Sequence, residues 1–442
     1  MYGTDILNAL RKNKISIGDR ITFTVQGKEY EGILMPRPET GDDSTLIIKQ
    51  DDGYNVGIKY HDGTILKIES KKAEGNKKSK NAKMEADQKL PKVTLLYTGG
   101  TIGSKIDYLT GGVRVLTTPS ELLGEIPELA GMANIEVKDL MHTFSEDISH
   151  TEWSKIAEAA ETAFNTGSVG VVITMGTDTM HYTSAALSFM LQNIPGPVVI
   201  TGAQRSSDRG SSDAFTNLAC AVAIAAQGKI AEVGICMHST SSDKQCSFIR
   251  GTKVRKMHTS RRDAFKPINS TVLATVDIET YKVEYGEECK KTTKKTAKSY
   301  PKFESKVALI KMYPNADPKI IDFYVEKGYK GIILEGTGLG HVAINTVHKE
   351  YSWAERIRNA IGKGVIIGMT SQCLSGRVNP NVYSTARTIS EMGVTYCEDM
   401  LPEVALVKLG WLLANHTRKE VKEQLSKDIV GEISSRITYK EM

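Results

Sequence analysis

Residues 92–103 read KVTLLYTGGTIG, and the organisation of the chain follows from that stretch. Val93, Thr94, Leu95, Leu96 and Tyr97 form a short apolar, β-favouring run. It stops at Thr98, Gly99 and Gly100, where the backbone is released. A buried strand ending this way sets the next hydroxyl, Thr101, at the carboxyl edge of a parallel sheet, where open α/β folds bind their ligands. Glycines there let a substrate approach backbone N–H groups that can face a developing negative charge. One Gly-rich turn alone reads more readily as a strand-to-helix connection without chemistry. A second hydroxyl turn, Gly176-Thr177-Asp178-Thr179, after the strand-like Val171 to Met175, tips the reading towards a catalytic edge.

The 442 residues leave room for two or three domains with ample core, and the apolar and charged fractions are those of a globular protein. A net charge of +5 is mild and gathers in lysine runs near residues 71–92 and 290–298, a pattern of linkers rather than of a nucleic-acid face. Cys220, Cys236, Cys246, Cys289, Cys373 and Cys397 are dispersed, with no C-x-x-C pair and no histidine at ligand spacing. Reduced thiols and no metal site are therefore expected. Asp5, Arg11, Lys12 and Lys14 interrupt the first apolar residues, so no signal peptide is read, and the most apolar helix, near Leu218 to Ala226, is too short to span a bilayer. The expectation is a cytoplasmic protein with no membrane contact.

Residues 1–85 alternate in short β runs, at Arg20 to Val25, Glu29 to Met35, Thr45 to Lys49 and Tyr54 to Tyr60. Turns are expected at Gln26-Gly27, Asp51-Asp52-Gly53 and His61-Asp62-Gly63, which predicts a small N-terminal β-barrel of about five strands. Lys71 to Gln88 is polar and lysine-rich and reads as a connector. From residue 86 to 284 strands alternate with helices, among them an amphipathic helix at Thr151 to Asn165, with Thr151 as expected N-cap, and others at Thr179 to Gln192 and Ser212 to Gln227. Residues 285–305 lose the pattern and read as a linker. It resumes over 306–428 as a smaller α/β domain, followed by a tail at 429–442. The fold class is α/β: two doubly wound parallel sheets preceded by the β-barrel.

Thr98-Gly99-Gly100-Thr101-Ile102-Gly103 together with Gly176-Thr177-Asp178-Thr179-Met180 resembles the L-asparaginase/glutaminase family of amidohydrolases. Ser145-Glu146-Asp147, Gly202-Ala203-Gln204-Arg205 leading to Ser212 to Asn217, and Lys256-Met257-His258-Thr259 agree in order and flanks. The resemblance covers about residues 92–427. Ordinary members lack a barrel. The barrel, Arg255 to Phe265, and Gly336 to His341 are similar to the archaeal branch that serves tRNA-dependent amidotransferases.

Amide hydrolysis needs a nucleophile, a base and a site for the oxyanion. Two threonines on neighbouring strand ends can grip one carboxamide from opposite faces, and Lys256 with Thr177 and Asp178 would complete a Thr-Lys-Asp relay. A lysine base works only when neutral, which requires desolvation to pull an amine below about 10.4; a carboxylate beside it opposes that shift, so Asp178 is expected to orient the lysine and hold the substrate's α-ammonium. Lys253 is the competing register for Lys256. The residues alone leave open which threonine attacks. The resemblance implies an acyl-enzyme route with Thr101 as nucleophile, Tyr108 of a mobile loop activating it, Gly100 and Gly176 shaping the site, and Ser145 and Glu146 binding the α-carboxylate and α-amino ends. Most family members carry glutamine where this chain has Glu146, and many carry asparagine where it has Leu339.

The resemblance further implies a glutaminase subunit that releases ammonia from glutamine, and from asparagine as a second substrate, without a cofactor of its own. The partner it implies is a tRNA-binding, kinase-like amidotransferase component of the E type, which uses ATP and Mg to activate glutamate on Glu-tRNA(Gln), in a homodimer within a heterotetramer. No G-x-x-x-x-G-K-[ST] loop occurs here to perform that step. Two alternatives stand beside this: a stand-alone cytoplasmic L-asparaginase, from which residues 1–85 discriminate, and a non-catalytic RNA-binding scaffold, which would show steep salt-dependent RNA affinity and no ammonia release.

Overall fold

The computed structural model describes residues 2–35, 42–50, 55–61, 64–70, 89–100, 104–106, 113–115, 126–205, 212–292 and 296–436. Thr101, Tyr108 and the connector Lys71 to Gln88 lie outside the described residues. Among the described residues no helix is long and apolar enough to cross a membrane.

The N-terminal unit is a five-stranded antiparallel sheet made of β1 (Arg20–Val25), β2 (Lys28–Leu34), β3 (Thr45–Lys49), β4 (Asn55–Lys59) and β5 (Ile65–Ser70), in the order β4-β3-β2-β1-β5. Ile21, Phe23, Leu34, Leu46 and Ile48 pack with Ile6 and Leu10 of helix α1 (Thr4–Lys12) into a separate core. The strands on either side of the turn expected at His61-Asp62-Gly63 do not pair as a hairpin: β5 pairs with β1, not with β4, because the outer strands must curl back for the small core to be covered. Asp62 and Gly63 lie outside the described residues.

The large domain is built on an eight-stranded sheet. Its members are β6 (Lys92–Tyr97), β7 (Asn134–Asp139), β8 (Gly170–Thr174), β9 (Val198–Thr201), β10 (Val233–His238), β11 (Gln245–Arg250), β14 (Ala274–Asp277) and β15 (Val283–Tyr285). The order is β15-β14-β11-β10-β9-β8-β6-β7. The five strands from β10 to β7 are parallel, whereas β11, β14 and β15 join by antiparallel pairing. The expected parallel sheet is thus a mixed one. Short connections at this end allow the chain to turn straight back, and antiparallel neighbours need no helical crossover.

Both faces of β6, β8, β9 and β10 are covered, which is why these strands are largely apolar, whereas the edge strand β7, NIEVKD, is only half-buried. Leu96, Val171, Ile173 and Ile200 face helices α2 (His150–Asn165) and α3 (Met180–Met190); Leu95, Val172 and Val199 face α4 (Ala214–Gln227). Helix α2 is capped by Ser149, not Thr151: the Ser149 hydroxyl accepts from the Thr151 amide, and Glu152 accepts in turn from the Ser149 amide at 2.9 Å. The capping box needs a carboxylate three residues on, and only Ser149 has one. Leu191–Gln192, expected to end α3, is extended and pairs with Lys298–Ser299.

The smaller domain is a four-stranded parallel sheet, β16 (Val307–Lys311), β17 (Gly331–Gly336), β18 (Ile366–Ser371) and β19 (Thr395–Tyr396), with helices α5 (Lys319–Glu326), α6 (Ala354–Gly362), α7 (Ser384–Glu391) and α8 (Pro402–Asn415). The segment read as a linker begins inside the large sheet at β15 and is pinned at its end, where the Trp411 indole donates to the Tyr300 carbonyl and Phe303 packs on Trp153. The tail likewise starts as packed structure: Glu432 is fully buried on Lys408 of α8.

Candidate active site

Tyr97, Thr174 and Thr201 lie in register across β6, β8 and β9, so three turns leave the carboxyl edge side by side: Thr98 to Gly100, Met175 to Asp178, and Gly202 to Arg205. The Thr98 hydroxyl donates to the Thr174 carbonyl at 2.8 Å and ties the first turn to the second. Gly100, at φ +84°, lies so close to Gly176 that a Cβ would run into the Gly176 amide; a Cβ on Gly176 would meet Ser145 at 2.9 Å. Only glycine permits this stacking, and it draws Ser145, which follows β7, into the same place. Ser145 is buried; its Oγ accepts from the Asp178 amide at 3.2 Å and its carbonyl from the Thr179 hydroxyl at 2.6 Å. Glu146 beside it is exposed and accepts from the Ser145 hydroxyl at 3.4 Å.

Lys256 ends strand β12 (Val254–Lys256), which forms a two-stranded hairpin with β13 (Phe265–Pro267). Its Nζ donates to Thr177 Oγ1 at 2.9 Å and to Asp178 Oδ1 at 2.5 Å. The lysine side chain is 9% exposed and that of Asp178 69%, so the amine is sheltered while the carboxylate looks into the opening. A cleft of about 200 Å³ is lined by Gly100, Phe144, Ser145, Glu146, Gly176, Thr177, Asp178, Ala203, Gln204, Lys256 and Thr259. All the expected site residues that are described therefore meet in one cleft; Thr101 is the next residue after its Gly100 wall. A larger hollow of about 350 Å³ is lined by Ser188, Glu232, Lys290 and Lys291 among others, but the Ser188 hydroxyl donates to the Ser184 carbonyl at 2.7 Å rather than pairing with either amine. Among the described residues no three His, Cys, Asp or Glu side chains are arranged to hold a metal ion.

Lys253, the competing register, is buried elsewhere, on Asp399 of the smaller domain at 2.7 Å, and burial pulls its pKa down. Alternation along β12 turns Arg255 away from the cleft to Glu403 of α8, 3.1 Å away. Lys253, Arg255 and Lys256 are thus not a solvated basic face. Each cation has its own carboxylate, two of them from the smaller domain, which clamps the hairpin that presents Lys256.

The stretch from Gly202 to Asn217 fits the family pattern, but its residues carried no site role in the sequence. Asp213 accepts the Gln204 and Arg205 amides at 3.1 and 3.0 Å, and Asn217 donates to the Gly202 carbonyl at 2.9 Å, which holds the third turn at the cleft. Its position after a third apolar strand was the available signal. Phe144 and Thr259 carried none.

His181, at the start of α3, is buried behind the cleft, and burial, reinforced by the Arg255 and Lys256 cations, depresses its pKa to about 4. A histidine that titrates near 6.5 when unfolded but near 4 when folded favours the fold fully above the higher value and loses that contribution as pH falls through the lower one. Urea titrations between pH 6.5 and 4 are expected to show a shallower loss of stability for His181→Gln than for the wild type; identical slopes would refute the assignment.

The comparisons agree with this geometry. Residues 92–289 match the family model described as Asparaginase, N-terminal, and residues 306–425 match the Glutaminase/Asparaginase C-terminal domain. The thermostable L-asparaginase from Thermococcus kodakarensis superposes with a TM-score of 0.69 at 30% identity, over 78% of this chain and 100% of that one. L-asparaginase I from Vibrio cholerae gives 0.67 at 29%, over 78% and 99%. The chain belongs to the asparaginase family. Residues 15–68 also match a model described as GatD N-terminal domain. Relatives similar along almost the whole length are D-type subunits of glutamyl-tRNA(Gln) amidotransferase: that of Methanopyrus kandleri is 45% identical over 96% of this chain and 93% of its own. That of Pyrococcus furiosus is 47% identical over 96% of each.

Proposed function

We propose that this chain is the ammonia-releasing subunit of a glutamyl-tRNA(Gln) amidotransferase, hydrolysing free glutamine for transamidation of Glu-tRNA(Gln) to Gln-tRNA(Gln). The observation that carries the chemistry is the Lys256 amine, 2.9 Å from the Thr177 hydroxyl and in contact with Asp178, in a cleft walled by Gly100 and Ser145. Similarity to the D-type subunits over nearly the full length, including the N-terminal module, supports the assembly and disfavours a stand-alone asparaginase.

Thr101 attacks the side-chain carboxamide carbon, with Tyr108 assisting its deprotonation. Thr177 and Lys256 take up and return a proton. The tetrahedral intermediate collapses, the C–N bond breaks, and the nitrogen leaves as ammonia carrying that proton. Water then cleaves the acyl-enzyme ester to glutamate and restores the threonine. Ser145 and the Asp178 carboxylate hold the α-amino acid head, and the exposed Glu146 adds a second anion for the ammonium. Gly100 and Gly176 keep the backbone clear for the substrate. The subunit needs no cofactor; ATP and Mg act on the tRNA-bound glutamate at a kinase-like, tRNA-binding partner of the E type. Two copies of each component form a heterotetramer in the cytoplasm. Handing ammonia over within the assembly is chemically required, since in bulk water it is protonated and no longer a nucleophile.

The test is ammonia release from glutamine and asparagine, with and without the partner subunit and Glu-tRNA(Gln). Glutamine hydrolysis stimulated by the complex is expected. Full activity alone, indifferent to the partner, would leave an ordinary asparaginase.

A further inference from the structure

The polar groups of the cleft floor have internal partners: Thr177 and Asp178 share Lys256, and Ser145 serves the Asp178 amide. Gln204 is the exception. Its backbone amide is held by both oxygens of Asp213, at 3.1 Å each, so its position is fixed. Gln204 lines the cleft, and its Nε2, shut off from solvent, donates to no group among the described residues. Buried amide donors almost always have an acceptor, and a turn of this side chain into the adjoining cleft gives it one on a ligand.

Sheet order says which end of the ligand it meets. β9, which delivers Gln204, flanks β8 on the side opposite β6 and β7, which deliver Gly100 and Ser145. With the amino-acid head at Ser145 and Glu146, the carboxamide end extends across Thr177 towards Gln204. We infer that Gln204 contacts the substrate and determines specificity, its Nε2–H donating to the carbonyl oxygen of the side-chain carboxamide. This rests on the glutaminase reading. Glutamine and asparagine differ by one methylene, so a donor clamped at one depth by Asp213 reaches the carbonyl of one better than the other.

The experiment measures ammonia release from both amides by the complete amidotransferase with Glu-tRNA(Gln), for wild type, Gln204→Leu and Gln204→Glu, together with thermal melting of each chain. Both variants are expected to lose about 10- to 100-fold in kcat/KM for glutamine, with a smaller preference between the amides, because each removes the donor while glutamate retains shape and acceptors. Gln204→Leu should melt no lower than wild type, since Nε2 donates no hydrogen bond in the free protein and the leucine fills similar space. Variants within twofold of wild type, an active Gln204→Glu, or a Gln204→Leu melting several degrees lower would each overturn the inference. A wild type silent on glutamine would instead refute the glutaminase reading; an active wild type with unaffected variants refutes only the role of Gln204.

Discussion

Lys256→Ala is expected to lower ammonia release from glutamine by about a thousandfold or more, with Thr177→Val close behind. The amine sits 2.9 Å from the Thr177 hydroxyl, and no other lysine or histidine lines the cleft among the described residues, so nothing replaces it as the group that moves a proton. Because the two side chains act through one hydrogen bond, the double variant should lose hardly more than the worse single one; independent roles would multiply. Thr177→Val keeps the size of the side chain, so its fold, checked by circular dichroism, should persist while steady-state ammonia production falls. Lys253→Met is the control for register: it should act mainly on stability through its buried pair with Asp399. Lys256→Ala retaining activity within tenfold of wild type would sink the mechanism.

Glu432→Ala should destabilise the chain by about 3–5 kcal/mol, the cost of stranding a buried charge. Lys408 and Glu432 are both completely inaccessible and 2.6 Å apart, and the carboxylate also accepts the Ile429 and Val430 amides at 3.0 and 2.7 Å. Removing it leaves an ammonium inside α8 with only the Leu425 and Lys427 carbonyls and frees the segment that closes over the smaller domain. Glu432→Gln, which keeps the shape and an acceptor, should cost less. Chemical denaturation read by tryptophan fluorescence reports this, since Trp411 lies on the same helix. A loss below about 1 kcal/mol would mean that the pair is no better than a surface one.

The strand ends were legible because a run such as Val93 to Tyr97 has no polar face, and because a second glycine-hydroxyl turn after a like strand made chemistry the better reading of both. The same logic placed Val171 to Met175, and the register of β6 with β8 puts their turns at a common edge. Local rules failed where two residues could do the same job nearby. Ser149 and Thr151 both suit a helix start, and only the carboxylate at Glu152 separates them. The antiparallel strands β11, β14 and β15 have no parallel signature to lose; their direction depends on which neighbour lies within reach.

By itself, then, the chain's order of residues determined the α/β class, the two glycine-hydroxyl turns and the types of side chain that serve them, because burial and backbone freedom act over a few consecutive positions. For the cation that reaches Thr177 the sequence offered Lys256 with Lys253 as a competing register, and the tertiary structure puts Lys256 there. Lys253, Arg255 and Lys256 are separated by strand alternation and by Asp399 and Glu403, some 146 to 148 positions away. The unpartnered, buried donor of Gln204 was invisible in the sequence, since a missing partner exists only once every other group has been brought into place.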